Sequence, residues 1–143
     1  MKKQSCILHT LIFAMFVLLT AGIGSAQDGI KVAVPFDFVV GTQNFSAGDY
    51  TLRSFSHNAE LLQTPNGQTL TIINLPIAVE SREAHITAKL VFHYCAGTYF
   101  LSQIWDAGNP SGRQMQKSPM EIQIAKSTQT PAQLVALASI PQR

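Results

Sequence analysis

Residues 30–52, IKVAVPFDFVVGTQNFSAGDYTL, decide the fold. Ile30, Val32, Val34, Phe36, Phe38 and Val40 take every second position, and Lys31, Ala33, Pro35, Asp37 and Val39 fall between them. Side chains alternate faces along a strand, so the first set makes one apolar face, whereas a helix would scatter it around the cylinder. Pro35 lacks the amide that a ladder uses, which places an edge or a bulge near the middle of this strand. Asp37 lies on the face opposite Phe36 and Phe38 and is expected in solvent. Ser46-Ala47-Gly48-Asp49 reads as a turn, with Gly48 free to take a positive φ, before a second strand begins at Tyr50.

The same plan repeats downstream. Residues 50–55, 60–64 and 69–74 read as strands, the last two joined by Pro65-Asn66-Gly67-Gln68, a strong hairpin signal because Asn-Gly accepts positive φ. Pro76 breaks the fourth strand, and residues 77–79 either resume it or cross to another sheet. The charged run Glu80-Ser81-Arg82-Glu83 reads as an exposed connection. Residues 86–95 and 99–105 form a hairpin around Ala96-Gly97-Thr98, and Met120, Ile122 and Ile124 alternate as a last strand. Beyond Lys126 the character changes: Pro131 followed by residues 133–140 reads as a short helix, or as a frayed tail. The expected fold is all-β, an antiparallel β-sandwich or small barrel of about seven to eight strands. An outer-membrane barrel fits poorly, because the segments are too short and uneven for a lipid-facing band.

Ahead of this domain, Lys2 and Lys3 precede an apolar run over residues 7–21, and Gly24-Ser25-Ala26 supplies small residues for cleavage. Residues 1–26 therefore read as a signal peptide, cleaved after Ala26, and the expected location is the periplasm or the outside of the cell. The division is then 1–26 signal, 27–126 a single β domain, and 127–143 a C-terminal tail. No integral membrane segment is expected after cleavage.

The formal net charge of +2 belongs to Lys2 and Lys3, so residues 27–143 carry as many basic as acidic side chains. A neutral chain without a basic cluster has no electrostatic footprint for nucleic acid. Cys6 leaves with the signal, and Cys95 remains as the one thiol, which reads either as a small buried hydrophobe or as the link of a disulfide-bonded dimer.

Four blocks, PFDFVVG (35–41), SAGDYTLR (46–53), KLVFHYCAGTYFLSQIW (89–105) and GRQMQKSPMEIQIA (112–125), carry a resemblance. In that order they resemble the shared pattern of a family of small exported bacterial all-β proteins: a VPFDF-like strand, a PAGEYTV-like turn, a KLVFHRYG-like hairpin and a GR…KS…E ending. The resemblance covers most of residues 27–143 and implies export and a compact β domain. The family has no established activity, so it assigns no site residue. Tyr94-Cys95-Ala96 departs from the pattern, which sets the Cys95 thiol outside it.

Chemistry-bearing residues are sparse. His93 and Cys95 share a strand face and form a candidate pair of ligands for a soft metal, although a closed site needs about four. The same pair fails as nucleophile and base, because residues two apart on a strand project in parallel and no third group orients the imidazole. The acidic residues are spread over separate segments, and spacing selects no acid and base pair among them. No cofactor is implied. Tyr94, Tyr99, Phe100 and Trp105 on one hairpin read first as core and second as an aromatic platform. The turn-rich loop 106–112 marks Trp105, Asp106 and Asn109 as candidate ligand-binding residues. The reading is a non-enzymatic binding or interaction module whose partner is a protein or a small molecule. The alternatives are a hydrolase with an unidentified acidic pair, and a structural protein that associates through β-edge strands.

Overall fold

The alternation over residues 30–40 survives in three dimensions, but the strand is not continuous. The computed structural model describes residues 29–128 and 131–139, so the expected signal 1–26, its cleavage site and residues 140–143 lie outside the described residues. β1 (Ile30–Val34) belongs to one sheet, and after Pro35-Phe36-Asp37 the chain enters β2 (Phe38–Val40) in the other. Val32, Val34, Phe38 and Val40 are buried in a single core, with Ile30 and Phe36 packed against it. One apolar face serves both strands because both sheets look inward on that core. Pro35, with no amide to donate, sits where no ladder bond is needed. Asp37 is exposed and accepts a hydrogen bond from the Ala47 amide at 2.8 Å. Gly48 does not make the turn; it opens β4 (Gly48–Ser56) opposite Val34, and the left-handed residue is Gly41 (φ 62), between β2 and β3 (Gln43–Phe45).

The first sheet adds β5 (Ala59–Gln63) and β6 (Thr69–Asn74) in the order β1-β4-β5-β6, all antiparallel. The turn joining β5 to β6 has Gly67 at φ 87, as Asn66-Gly67 predicts. After Pro76 the chain does cross sheets: β7 (Ile77–Glu80) pairs with β10 (Ser111–Gln114). The second sheet runs β11-β8-β9-β10-β7 and includes β8 (Lys89–Cys95), β9 (Thr98–Trp105) and β11 (Gln133–Ala138). β2 joins the β9 end as its one parallel pairing, Phe38 opposite Tyr99, and carries β3 on its far side. Four strands and seven strands face each other as a sandwich and do not close into a barrel. Ile86, expected on the β8 face, is 95 % exposed in the preceding loop. Among the described residues, no helix is long and apolar enough to cross a membrane.

Two assignments are reversed. The segment expected as a last strand is α1 (Pro119–Thr128), and the segment expected as a helix is β11. Ser118 caps α1, its Oγ accepting from the Glu121 amide at 3.1 Å, and Pro119 occupies the first turn, where its missing amide costs nothing. This local capping outweighs a three-residue alternation. At the other end, residues 133–138 cover the otherwise open edge of β8, from Gln133 opposite Tyr94 to Ala138 opposite Lys89. Ladder hydrogen bonds on that edge override the helix signal of Pro131, and they make the expected tail part of the second sheet.

α1 lies on the outer face of that sheet, where Ile124 and Ala125 pack on Val39, Cys95 and Phe100. Replacing Ser118 with Ala should cost about 1 kcal/mol of stability by removing the cap. Hydrogen exchange should show the loss as faster exchange in residues 119–125, with the core of β8 unchanged. Uniform acceleration across both sheets would contradict this local role.

Candidate functional site

A cleft of about 670 Å³ opens between the sheets at one end of the sandwich. Ile30, Leu52, Leu75, Pro76 and Ala78 supply its apolar lining, and Ser54, Ser56, His57, Asn58, Asn109 and Ser111 its polar one. Glu60, Asp106 and Arg113 line it as well and carry its charge.

Glu60 gets there by strand alternation. It sits two residues from Leu62 on β5, opposite Ser54 on one neighbour and Ile73 on the other, so it shares the inward face with core residues. Its side chain is 3 % exposed. Arg113 arrives from the opposite sheet on β10, in register with buried Ile104. Its Nη2 donates to Glu60 Oε1 and to Asp106 Oδ2, the latter at 3.3 Å. Glu60 Oε2 is buried without a hydrogen-bond partner among the described residues. Burial pushes the Glu60 carboxyl above the usual carboxylate range; the Arg113 guanidinium pulls it back, the Asp106 charge adds to the rise, and burial prevails.

The residues singled out from sequence divide. Asp106 and Asn109 line the cleft, and Asn109 Oδ1 also accepts from the Ser111 amide at 2.9 Å, which shapes the loop. Trp105 does not line it. Its indole lies against Gly112, where an added Cβ would come within 2.5 Å of the ring, with Lys89 Nζ 5.4 Å from the ring centroid. Trp105 is 6 % exposed, and Tyr99 stacks on Phe36 at 3.7 Å, so these hairpin aromatics are packing residues rather than a platform.

His93 and Cys95 do share the outer face of β8, beneath α1, but both imidazole nitrogens are engaged. Nδ1 lies 2.6 Å from Glu121 Oε1 and Nε2 lies 3.2 Å from the Ser102 hydroxyl. Among the described residues no three His, Cys, Asp or Glu side chains come together to hold a metal ion. Ser102, His93 and Glu121 stand in the order of a nucleophile, base and orienting acid. Ser102 and Glu121 are nevertheless 4 % and 6 % exposed and none of the three lines the cleft, so the row acts as a polar clamp that ties α1 to the sheet.

Cys95 is 3 % exposed among Val39, Phe100 and Ile124. Oxidant should therefore leave the protein's mass in size-exclusion chromatography unchanged. A dimer reversed by reductant would show that this thiol reaches the surface.

Sequence reasoning missed Glu60 and Arg113. A signal existed, since Glu60 shares the strand face of Leu62 and a carboxylate placed there needs a cationic partner from elsewhere in the chain. Comparison with protein-family models, curated proteins and solved structures gives no match, so the functional reading rests on this chain's own residues.

Proposed function

We propose that this chain is an exported, non-enzymatic binding module of the cell envelope or exterior, and that the cleft between its sheets receives a small ligand. One observation carries the reading: a preformed cleft of about 670 Å³ with a partly apolar lining holds a buried carboxylate whose Oε2 lacks a partner among the described residues. Binding sites of this size, mostly preformed and with a few convergent polar groups, are the usual habitat of small molecules. Export is supported by the signal-like residues 1–26 and by the resemblance to small exported bacterial β proteins.

Amide-resolved NMR against a library of small fragments tests the cleft. Shifts confined to residues 54–60 and 106–113 are the expected result, and a library that moves no cleft amide overturns the reading. N-terminal sequencing of the protein from the extracytoplasmic fraction should begin at Gln27; an intact Met1 in the cytoplasm would remove export.

Hydrolysis is the second reading, favoured by the contrast between Glu60, whose carboxyl is raised by burial, and Asp106, whose side chain is 45 % exposed. It requires turnover of a chromogenic glycoside or ester that Glu60→Gln abolishes without unfolding the protein.

A further inference from the structure

The charged side chains of the cleft are two carboxylates, Glu60 and Asp106, and one guanidinium, Arg113. Arg113 Nη2 is already shared between Glu60 Oε1 and Asp106 Oδ2, so two carboxylates stand against one guanidinium. When both are ionised, one negative charge is left over in a partly enclosed site, where charges interact more strongly than in water. Glu60 Oε2 sits on a side chain 3 % exposed and has no partner among the described residues. No donor among the described residues reaches that buried acceptor, which leaves it one hydrogen bond short.

We infer that the ligand of this cleft is a small organic cation, a primary ammonium or guanidinium group seated against Glu60 and Asp106 and carried on an apolar skeleton. The inference rests on the cleft being the binding site. An anion would meet the surplus carboxylate, and Arg113 Nη2 is already shared between Glu60 and Asp106. A neutral ligand could pair with Oε2 but would leave the charge unbalanced. A bare metal ion would meet Arg113 between the two carboxylates, and no group of three ligating side chains is present among the described residues. Ile30, Leu52 and Leu75 supply the surface against which a carbon skeleton packs, and the volume of about 670 Å³ suits a molecule of several carbons rather than an ion.

Three probes of one shape and different charge separate these cases: phenethylamine, 2-phenylethanol and 3-phenylpropionate, titrated into the full chain with amide NMR as readout. Phenethylamine should shift the amides of Asn58 and Ser111 and bind roughly tenfold tighter than the other two, with the advantage shrinking in high salt. Glu60→Gln and Asp106→Asn should each lower the amine's affinity about tenfold and leave the alcohol's unchanged. Asp106, with its side chain 45 % exposed, provides a variant that folds if the Glu60 change does not. Equal or tighter cleft binding of the alcohol or the carboxylate overturns the cation while leaving the cleft reading intact. If none of the three moves a cleft amide, the cation inference falls, and the fragment screen judges the cleft separately.

Discussion

Arg113→Met should destabilise the protein by about 3–5 kcal/mol at neutral pH, because it strands the Glu60 carboxylate in the interior without its cation. The size of the effect follows from burial: the Glu60 side chain is 3 % exposed, so its carboxylate keeps little of the solvation that would offset the loss of the guanidinium. The loss should depend on pH with a definite sign. The folded-state pKa of Glu60 is raised above its ordinary value, so between the two values the folded protein holds a proton that the unfolded chain has released. Stability from this group is therefore fully present below the ordinary carboxylate range and is lost as pH rises through the raised folded value. Removing Arg113 takes away the influence that lowers that value, so the fall should steepen and reach to higher pH. Urea denaturation of wild type and variant across pH 4 to 8 reads this directly. Adding Glu60→Gln to Arg113→Met should restore much of the loss, since the pair is then replaced by neutral groups. Identical pH profiles for wild type and Arg113→Met would refute the ion pair.

Phe92→Ala should cost about 3–5 kcal/mol, a large share of the roughly 5–15 kcal/mol by which domains of this kind are stable. Phe92 is 0 % exposed at the centre of β8, between β11 and β9. Its ring meets Phe36 edge-on at 5.3 Å and Phe38 at 5.6 Å, which are the residues flanking the point where the chain passes from one sheet to the other. Truncation leaves a cavity where β1 and β2 part company. Phe92→Leu, which keeps most of the volume, should cost distinctly less. A loss below about 1 kcal/mol for the alanine variant, measured by chemical denaturation, would contradict this packing.

Much of the β plan was legible because strand alternation and turn chemistry are local. Asn66-Gly67 placed the β5–β6 hairpin, and Ala96-Gly97, both with positive φ, close the β8–β9 hairpin where the sequence put its turn. The helix was legible too, in Ser118, Pro119 and Glu121, but the alternation of Met120, Ile122 and Ile124 obscured it. β11 was not legible, since its conformation depends on the free edge of β8, about 40 residues earlier in the chain.

Within residues 30–40 the sequence by itself determined which side chains face the shared core, because a period of two survives even where the strand breaks: Val32, Val34, Phe38 and Val40 are buried together although β1 and β2 lie in different sheets. Only the tertiary structure decided where the chemistry lies. Glu60 and Arg113 stand 53 residues apart on opposite sheets, and Ser102, His93 and Glu121 come from two strands and a helix. Alternation sets the face on which a side chain lies, whereas the packing of sheet on sheet and helix on sheet sets the groups it meets across the core.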